Sequence, residues 1–193
     1  MGGEKCEGIP KKEREEEMRF RKGFLSALFV FFLLSGCTYY FPYTGVASPV
    51  FVEEAKKIVG KNLNYEFSEK LTKFTITGRP SGFVGAANRT TFPIGQTFTS
   101  FVTQVLEKDD TKPVLLIDVM EENELRRVSS LRGGFSWIEL KLNLSVNGKR
   151  ITLHKKRVRN RKEFIASGDV GYLYGKLMED IVWEFLEKLA QMV

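Results

Sequence analysis

FSWIELKLNLSVNGKRITLHKKRVRN, residues 135–160, reads as two long strands folded back on a tight turn. Up to Val146 the chain alternates, with Ile138, Leu140, Leu142, Leu144 and Val146 on one face. Trp137, Glu139, Lys141, Asn143 and Ser145 fall on the other. Asn147-Gly148 is the preferred pair for a two-residue type I′ turn, because both positions need positive φ. Such a turn fixes the register: Val146 lies opposite Lys149, Leu144 opposite Ile151, Leu142 opposite Leu153 and Glu139 opposite Lys156. The first face is then apolar near the turn. The second gains a cross-strand charge pair worth about 0.2–1 kcal/mol. The return strand is expected to run from Lys149 to about Phe164.

Working outward, Ser167-Gly168-Asp169 precedes a long amphipathic helix expected over 172–192, with Asp169 at or near its cap. Leu173, Leu177, Ile181, Phe185 and Leu189 recur every fourth residue along it, backed by Met178, Val182 and Leu186. Before the hairpin, 114–120 is a nearly continuous apolar strand, expected to be central and to continue, more polar, towards Val128. Residues 95–107 place Phe98, Phe101, Val102, Val105 and Leu106 at helical spacing. Residues 73–79 read as a strand and 80–93 as a loop. Ser48-Pro49 opens a short helix over 50–59, although a strand over 49–53 fits nearly as well. The order is strand, helix, three strands, long helix, with no internal repeat. It implies an α+β fold: a two-layer sandwich, an antiparallel-rich sheet with two helices packed on one face.

The N-terminal part has a different character. Phe24 to Leu34 is an eleven-residue apolar run interrupted only by Ser26. As a helix it would reach roughly 17 Å at about 1.5 Å per residue, short of a bilayer core of about 30 Å. Arg19, Arg21 and Lys22 precede it, the layout of a signal peptide. Leu34-Ser35-Gly36-Cys37 follows directly and resembles the lipobox of bacterial lipoproteins. That resemblance implies transfer of a diacylglyceryl group to the Cys37 sulfur, cleavage between Gly36 and Cys37, and a further acyl chain on the new N-terminus. The bland alternative is a buried core helix that ends in Ser-Gly-Cys. Met18 is the expected true start, with 1–17 an upstream extension or else a cytoplasmic tail removed with the signal. Thr38, where an aspartate would favour inner-membrane retention, leans the expectation to the outer membrane, facing the periplasm. The organisation expected is 1–36 removed, 37–48 an aromatic-rich lipidated tether, and 49–193 one periplasmic domain.

The bulk numbers agree with a folded domain: 193 residues, 42% apolar and 28% charged. The net charge of +6 falls only to +5 without residues 1–36, a balance that suits an anionic membrane surface. The two cysteines are Cys6 and Cys37, so the chain after Cys37 has neither an internal disulfide nor a cysteine-based zinc site.

This layout is similar to the small periplasmic lipoproteins of the YajG type and to the auxiliary lipoproteins of ABC-type lipid transport systems. The likeness is carried by Leu34-Ser35-Gly36-Cys37, the Pro93-Ile94-Gly95 entrance to a helix ending in Val105-Leu106-Glu107, the apolar strand from Val114, the Asn147-Gly148 hairpin and the final helix. Only the lipobox is a specific motif; the rest is order and spacing. The resemblance implies a non-catalytic envelope component assisting transport or assembly, with no catalytic residue to carry over and no cofactor beyond the lipid on Cys37.

Enzyme signals are sparse. His154, the only histidine, falls on the solvent face by the register above. No Gly-x-Gly-x-x-Gly, phosphate loop, nucleophile elbow or Cys/His metal spacing occurs. Glu121, Glu122 and Glu124 cluster near a strand end and read as solvated carboxylates before a metal site. Asn88-Arg89-Thr90 and Asn143-Leu144-Ser145 are chance matches to the glycosylation pattern. The distinctive feature is the basic run from His154 to Lys162. By alternation Lys155, Arg157, Arg159 and Arg161 continue the face of Ile151 and Leu153, while Lys156 and Lys162 point away. One reading is a docking strip for anionic headgroups or an acidic envelope partner. The other is a solvated edge that deters strand pairing, helped by Glu179, Asp180, Glu184 and Glu187 of the last helix. Nucleic acid is not expected, since stacking aromatics are not interleaved in the run. The alternative role is a structural or surface-exposed lipoprotein without a transport partner.

Overall fold

In the computed structural model the hairpin has the register its turn dictates. The structure describes residues 38–40, 45–60, 62–78, 89–129, 135–160 and 168–192. Strands β7 (Phe135–Val146) and β8 (Lys149–Asn160) pair antiparallel, with Val146 opposite Lys149, Leu144 opposite Ile151, Leu142 opposite Leu153 and Glu139 opposite Lys156. Asn147 and Gly148 take φ of 48° and 81°, as a type I′ turn requires. Ile138, Leu140, Leu142, Leu144, Val146, Ile151 and Leu153 are all buried, so the apolar face is the core face. The expected charge pair is not formed as drawn. Glu139 Oε1 meets His154 Nε2 at 2.8 Å, and Lys156 Nζ instead lies 4.4 Å from the Trp137 ring centroid.

The other elements are β1 (Thr38–Tyr40), α1 (Pro49–Val59), β2 (Tyr65–Phe67), α2 (Glu69–Thr72), β3 (Ile76–Gly78), β4 (Arg89–Phe92), α3 (Ile94–Val105), β5 (Leu115–Val119), β6 (Glu124–Ser129) and α4 (Gly168–Ala190). The class is α+β, with sheets that mix parallel and antiparallel pairs. In the larger sheet β5 lies between β2, to which it is parallel, and β7, to which it is antiparallel; β6 and β8 also pair with β7. A second sheet has the order β1-β4-β3, with β1 parallel and β3 antiparallel to β4. Arg127 of β6 ties the two together: its Nη2 donates to the Thr90 hydroxyl at 2.7 Å, and its guanidinium lies 5.7 Å from the Phe92 ring centroid.

Ser48 caps α1 as expected, its hydroxyl accepting from the Phe51 N–H, which excludes the strand alternative. The strand expected over 73–79 shortens to β3, because α2 occupies 69–72 and Lys73 closes it. Within the stretch read as a loop, β4 forms at its end, and its residues Thr90, Thr91 and Phe92 are buried. The final helix begins at Gly168, so Asp169 is its second residue rather than its cap. Among the described residues α1, α3 and α4 are the helices longer than one turn. Of these, α3 and α4 are the two expected to pack on the sheet, and α1 is the short helix of the two readings for its segment. α4 packs on β8 and β7, and α1 and α3 pack on α4 and on each other. The rings of Phe98 and Phe185 meet edge-on at 5.1 Å, and Phe51 lies 6.3 Å from Trp183.

The expected tether is shorter and less free than drawn. Thr38–Tyr40 is a strand, and residues 45–48 are held on the domain. The Gly45 carbonyl accepts from the Ser100 hydroxyl and the Gln104 amide, both at 2.8 Å, and Ala47 is buried. Among the described residues, folded structure is thus already present ahead of residue 49. Cys6, the apolar run from Phe24, Gly36, Cys37, Arg161, Lys162 and the end of the return strand near Phe164 lie outside the described residues.

Candidate functional site

The basic run occupies the last half of β8, and α4 crosses over it. Pleating turns Lys155, Arg157 and Arg159 towards that helix, and their partners come from one side of it. Asp180, Glu184 and Lys188 recur at four-residue spacing, so they share a face. Arg157 Nε and Nη2 both donate to the Asp180 carboxylate, which holds the guanidinium pKa above its usual value despite partial burial. Lys155 Nζ lies 3.5 Å from Glu184 Oε2. Arg159 stacks over Tyr172, its guanidinium carbon 4.8 Å from the ring centroid.

Glu184 does more than pair with a lysine. Its Oε2 accepts from the His154 backbone N–H at 3.3 Å, and its Oε1 from Lys188 Nζ at 2.7 Å. Lys188 also donates to the Thr152 carbonyl at 2.6 Å. Both backbone groups lie on the β8 edge away from β7, so α4 covers that edge with side chains. Burial alone would raise the Glu184 carboxyl. The Lys188 and His154 N–H donors, with the charges of Lys155 and Lys188, outweigh it and hold the group below the usual carboxylate range.

The two remaining acids named from sequence act elsewhere. Glu179 turns to α1, where its Oε1 accepts from the Ser48 N–H at 2.9 Å, while Oε2 meets Lys176 Nζ at 2.7 Å. Burial raises this carboxyl too, and those donors bring it below the usual range. Glu187 accepts from Trp183 Nε1 at 2.9 Å. Lys155 and Arg157 are therefore neutralised within the domain. Beyond them, Arg159 lies over Tyr172, and Lys156, on the outer face, lies over Trp137.

The carboxylate cluster belongs to a bulge that sequence reasoning did not see. The strand from Val114 does continue, as β6, but four residues (120–123) stand opposite two of β7, so the register slips by two. Glu122 takes a positive φ of 64° there. Fully buried Asn143 fills the bulge: its N–H donates to Asn123 Oδ1 at 2.6 Å, its amide to the Glu122 carbonyl at 2.8 Å, and its Oδ1 accepts from Thr152 at 2.7 Å. No sugar could reach that amide. Beside the bulge is an open hollow of about 470 Å³ bordered by Lys70, Asp118, Glu122 and Arg150. Within it Glu122 pairs with Arg150 at 3.0 Å, and Asp118 accepts from the Ser68 hydroxyl and the Val119 N–H. Glu124 pairs with Arg126 at 2.6 Å. No group of three or more metal-ligating side chains occurs among the described residues, and no helix there is long and apolar enough to cross a membrane.

No protein-family model and no curated protein matches the sequence. Among solved structures, a minor lipoprotein from Acinetobacter baumannii is 14% identical, with a TM-score of 0.39 over 70% of this chain and 94% of that one. A second, an uncharacterized protein, is 11% identical, with a TM-score of 0.31 over 82% of this chain and 98% of its own. At these scores neither likeness assigns a fold family or a role, and the chain is placed by its own residues.

Proposed function

We propose that this chain is a lipid-anchored, non-catalytic envelope protein that serves as an accessory or binding component in transport or assembly. The observation that carries the reading is the adjacency of two features. The lipobox-like Leu34-Ser35-Gly36-Cys37 ends one residue before β1 begins. A basic flank, a short apolar run, two small residues and a cysteine thus run straight into a folded domain. In this reading Cys37 carries diacylglycerol and an acyl chain, residues 1–36 are removed, and the domain faces the periplasm from the outer membrane. Helices α1, α3 and α4 form one layer and the larger sheet the other, a two-layer sandwich. The surface offered to an anionic ligand or an acidic partner is the far end of β8, with Lys156 and Arg159, followed in sequence by Arg161 and Lys162.

Intact mass of the protein extracted from bacterial membranes tests the anchor. A chain beginning at Cys37 with the mass of three acyl chains and glycerol is expected, and Cys37→Ser should abolish that mass and leave the signal segment uncleaved. An unmodified Cys37, or a chain still carrying Phe24 and its neighbours, sinks the reading. Crosslinking in intact cells separates the accessory role from a structural one. The first predicts an envelope permease or substrate-binding protein as the crosslinked neighbour; the second predicts protease-accessible display without one.

A further inference from the structure

Exposed large apolar side chains are not spread evenly over this domain. Seven occur among the described residues, and five of them, Tyr40, Val46, Val50, Val158 and Tyr172, belong to one end of the fold. The contacts that gather them are specific. Tyr40 of β1 lies opposite Thr91 of β4, and the next residue, Phe92, packs its ring 5.2 Å from Tyr174 in the first turns of α4. Two residues before Tyr174 is Tyr172, 56% exposed, under the Arg159 guanidinium. One and two turns further along α4, Lys176 and Glu179 hold Ser48, which stands between Val46 and Val50. The start of α1, the first half of α4, the end of β8 and the strand that follows Cys37 are therefore linked.

From this we infer that the domain rests on the bilayer by that end, with Tyr40, Val50, Tyr172 and Arg159 at the headgroup level. The inference rests on the lipid anchor proposed above and adds an orientation to it. Two physical arguments support the bilayer as the occupant. No residue separates the lipid site from β1, so a lipid on Cys37 brings the edge of the small sheet to the membrane surface with no slack. The exposed residues also suit that depth. Tyrosine presents an apolar ring and a polar tip, and an arginine stacked on it puts a cation beside anionic phosphates. The Asn147-Gly148 turn lies at the other end of β8. Ten residues of strand, roughly 33 Å, separate Lys149 from Arg159, so the turn stands clear of the surface.

The test uses the full-length protein purified with its lipid and bearing one added cysteine, as Tyr172→Cys, Val50→Cys or Lys149→Cys. Residues after Cys37 contain no other thiol. Each is labelled with an environment-sensitive fluorophore and reconstituted into phosphatidylethanolamine–phosphatidylglycerol vesicles carrying a headgroup quencher. Labels at 172 and 50 should shift to the blue and be quenched, and the label at 149 should do neither. Position 50 keeps the test decisive where loss of the Tyr172 ring disturbs Arg159. If lipidated protein that floats with the vesicles shows labels at 172 and 50 as unquenched as that at 149, the orientation is wrong and the anchor stands. If the purified chain carries no lipid mass, the anchor and the orientation fall together.

Discussion

At the scale of single residues, Asn143 matters most to the sheet. Its alternation placed it on the solvent face, and the neighbouring Lys141 and Ser145 are indeed partly exposed. Asn143 itself is fully buried, because the extra residues of the bulge fold over it and need its amide. Asn143→Ala and Asn143→Leu should each lower stability by about 1–3 kcal/mol in urea unfolding, since both leave the same polar groups without their partner. If the leucine variant, which restores volume, were as stable as the parent, the hydrogen bonds would count for nothing. Glu184 makes a prediction about pH. Its carboxyl is held below the usual range in the folded protein, so the stability it adds is complete above about pH 4.5, the ordinary value, and is lost as pH falls through the lower folded value. Glu184→Gln should flatten that limb of the stability curve, measured as urea midpoints between neutral and acid pH. An unchanged limb would assign the acid sensitivity to other groups.

At the scale of elements, the junction of α2 and α3 is the least forgiving. Gly95, the second residue of α3, donates its N–H to the Phe74 carbonyl at 2.9 Å, and a Cβ there would fall 1.7 Å from the Leu71 carbonyl oxygen. The obstruction is backbone, which cannot swing aside as a side chain can. Gly95→Ala should cost about 3 kcal/mol or more, seen as a large drop in Tm with the far-UV spectrum at low temperature retained. The elements also show what a sequence discloses. The β7–β8 hairpin was legible to the residue because a two-residue turn leaves one register, and α3 and α4 because their apolar spacing runs for several turns. β1, β2 and β4 were not, for three or four residues carry no usable period. Their parallel pairings join segments far apart in the chain, as Tyr65 with Leu115. The bulge hid for a related reason: its signal is a missing partner across the sheet, which alternation along one strand does not register.

For the whole molecule, part of the basic strip is taken up inside the domain. Lys155 and Arg157 are held by α4, an arrangement the acids at 180 and 184 suggested in the sequence, whereas Glu179 went to the α1 cap through a contact across more than a hundred residues. Which acid faces which element depends on how α4 is rolled against the sheet, and that follows from the packing of three helices together. β1 carries a mechanical consequence of its own. Tension applied from the N-terminal side loads a strand of three residues before it loads the core, and among the described residues the next ones, from Gly45, are held on α3. Detaching β1 would free Thr38–Tyr40 first, roughly 10–11 Å of chain, while the rest of the domain stays folded. Force spectroscopy between Cys37 and the hairpin turn should therefore show a small reversible extension of about 10 Å ahead of the main rupture. A single rupture without it would mean the short strand yields only with the core. With it, the domain has a recoil spring at its N-terminal edge, stiff at rest and slack when tugged.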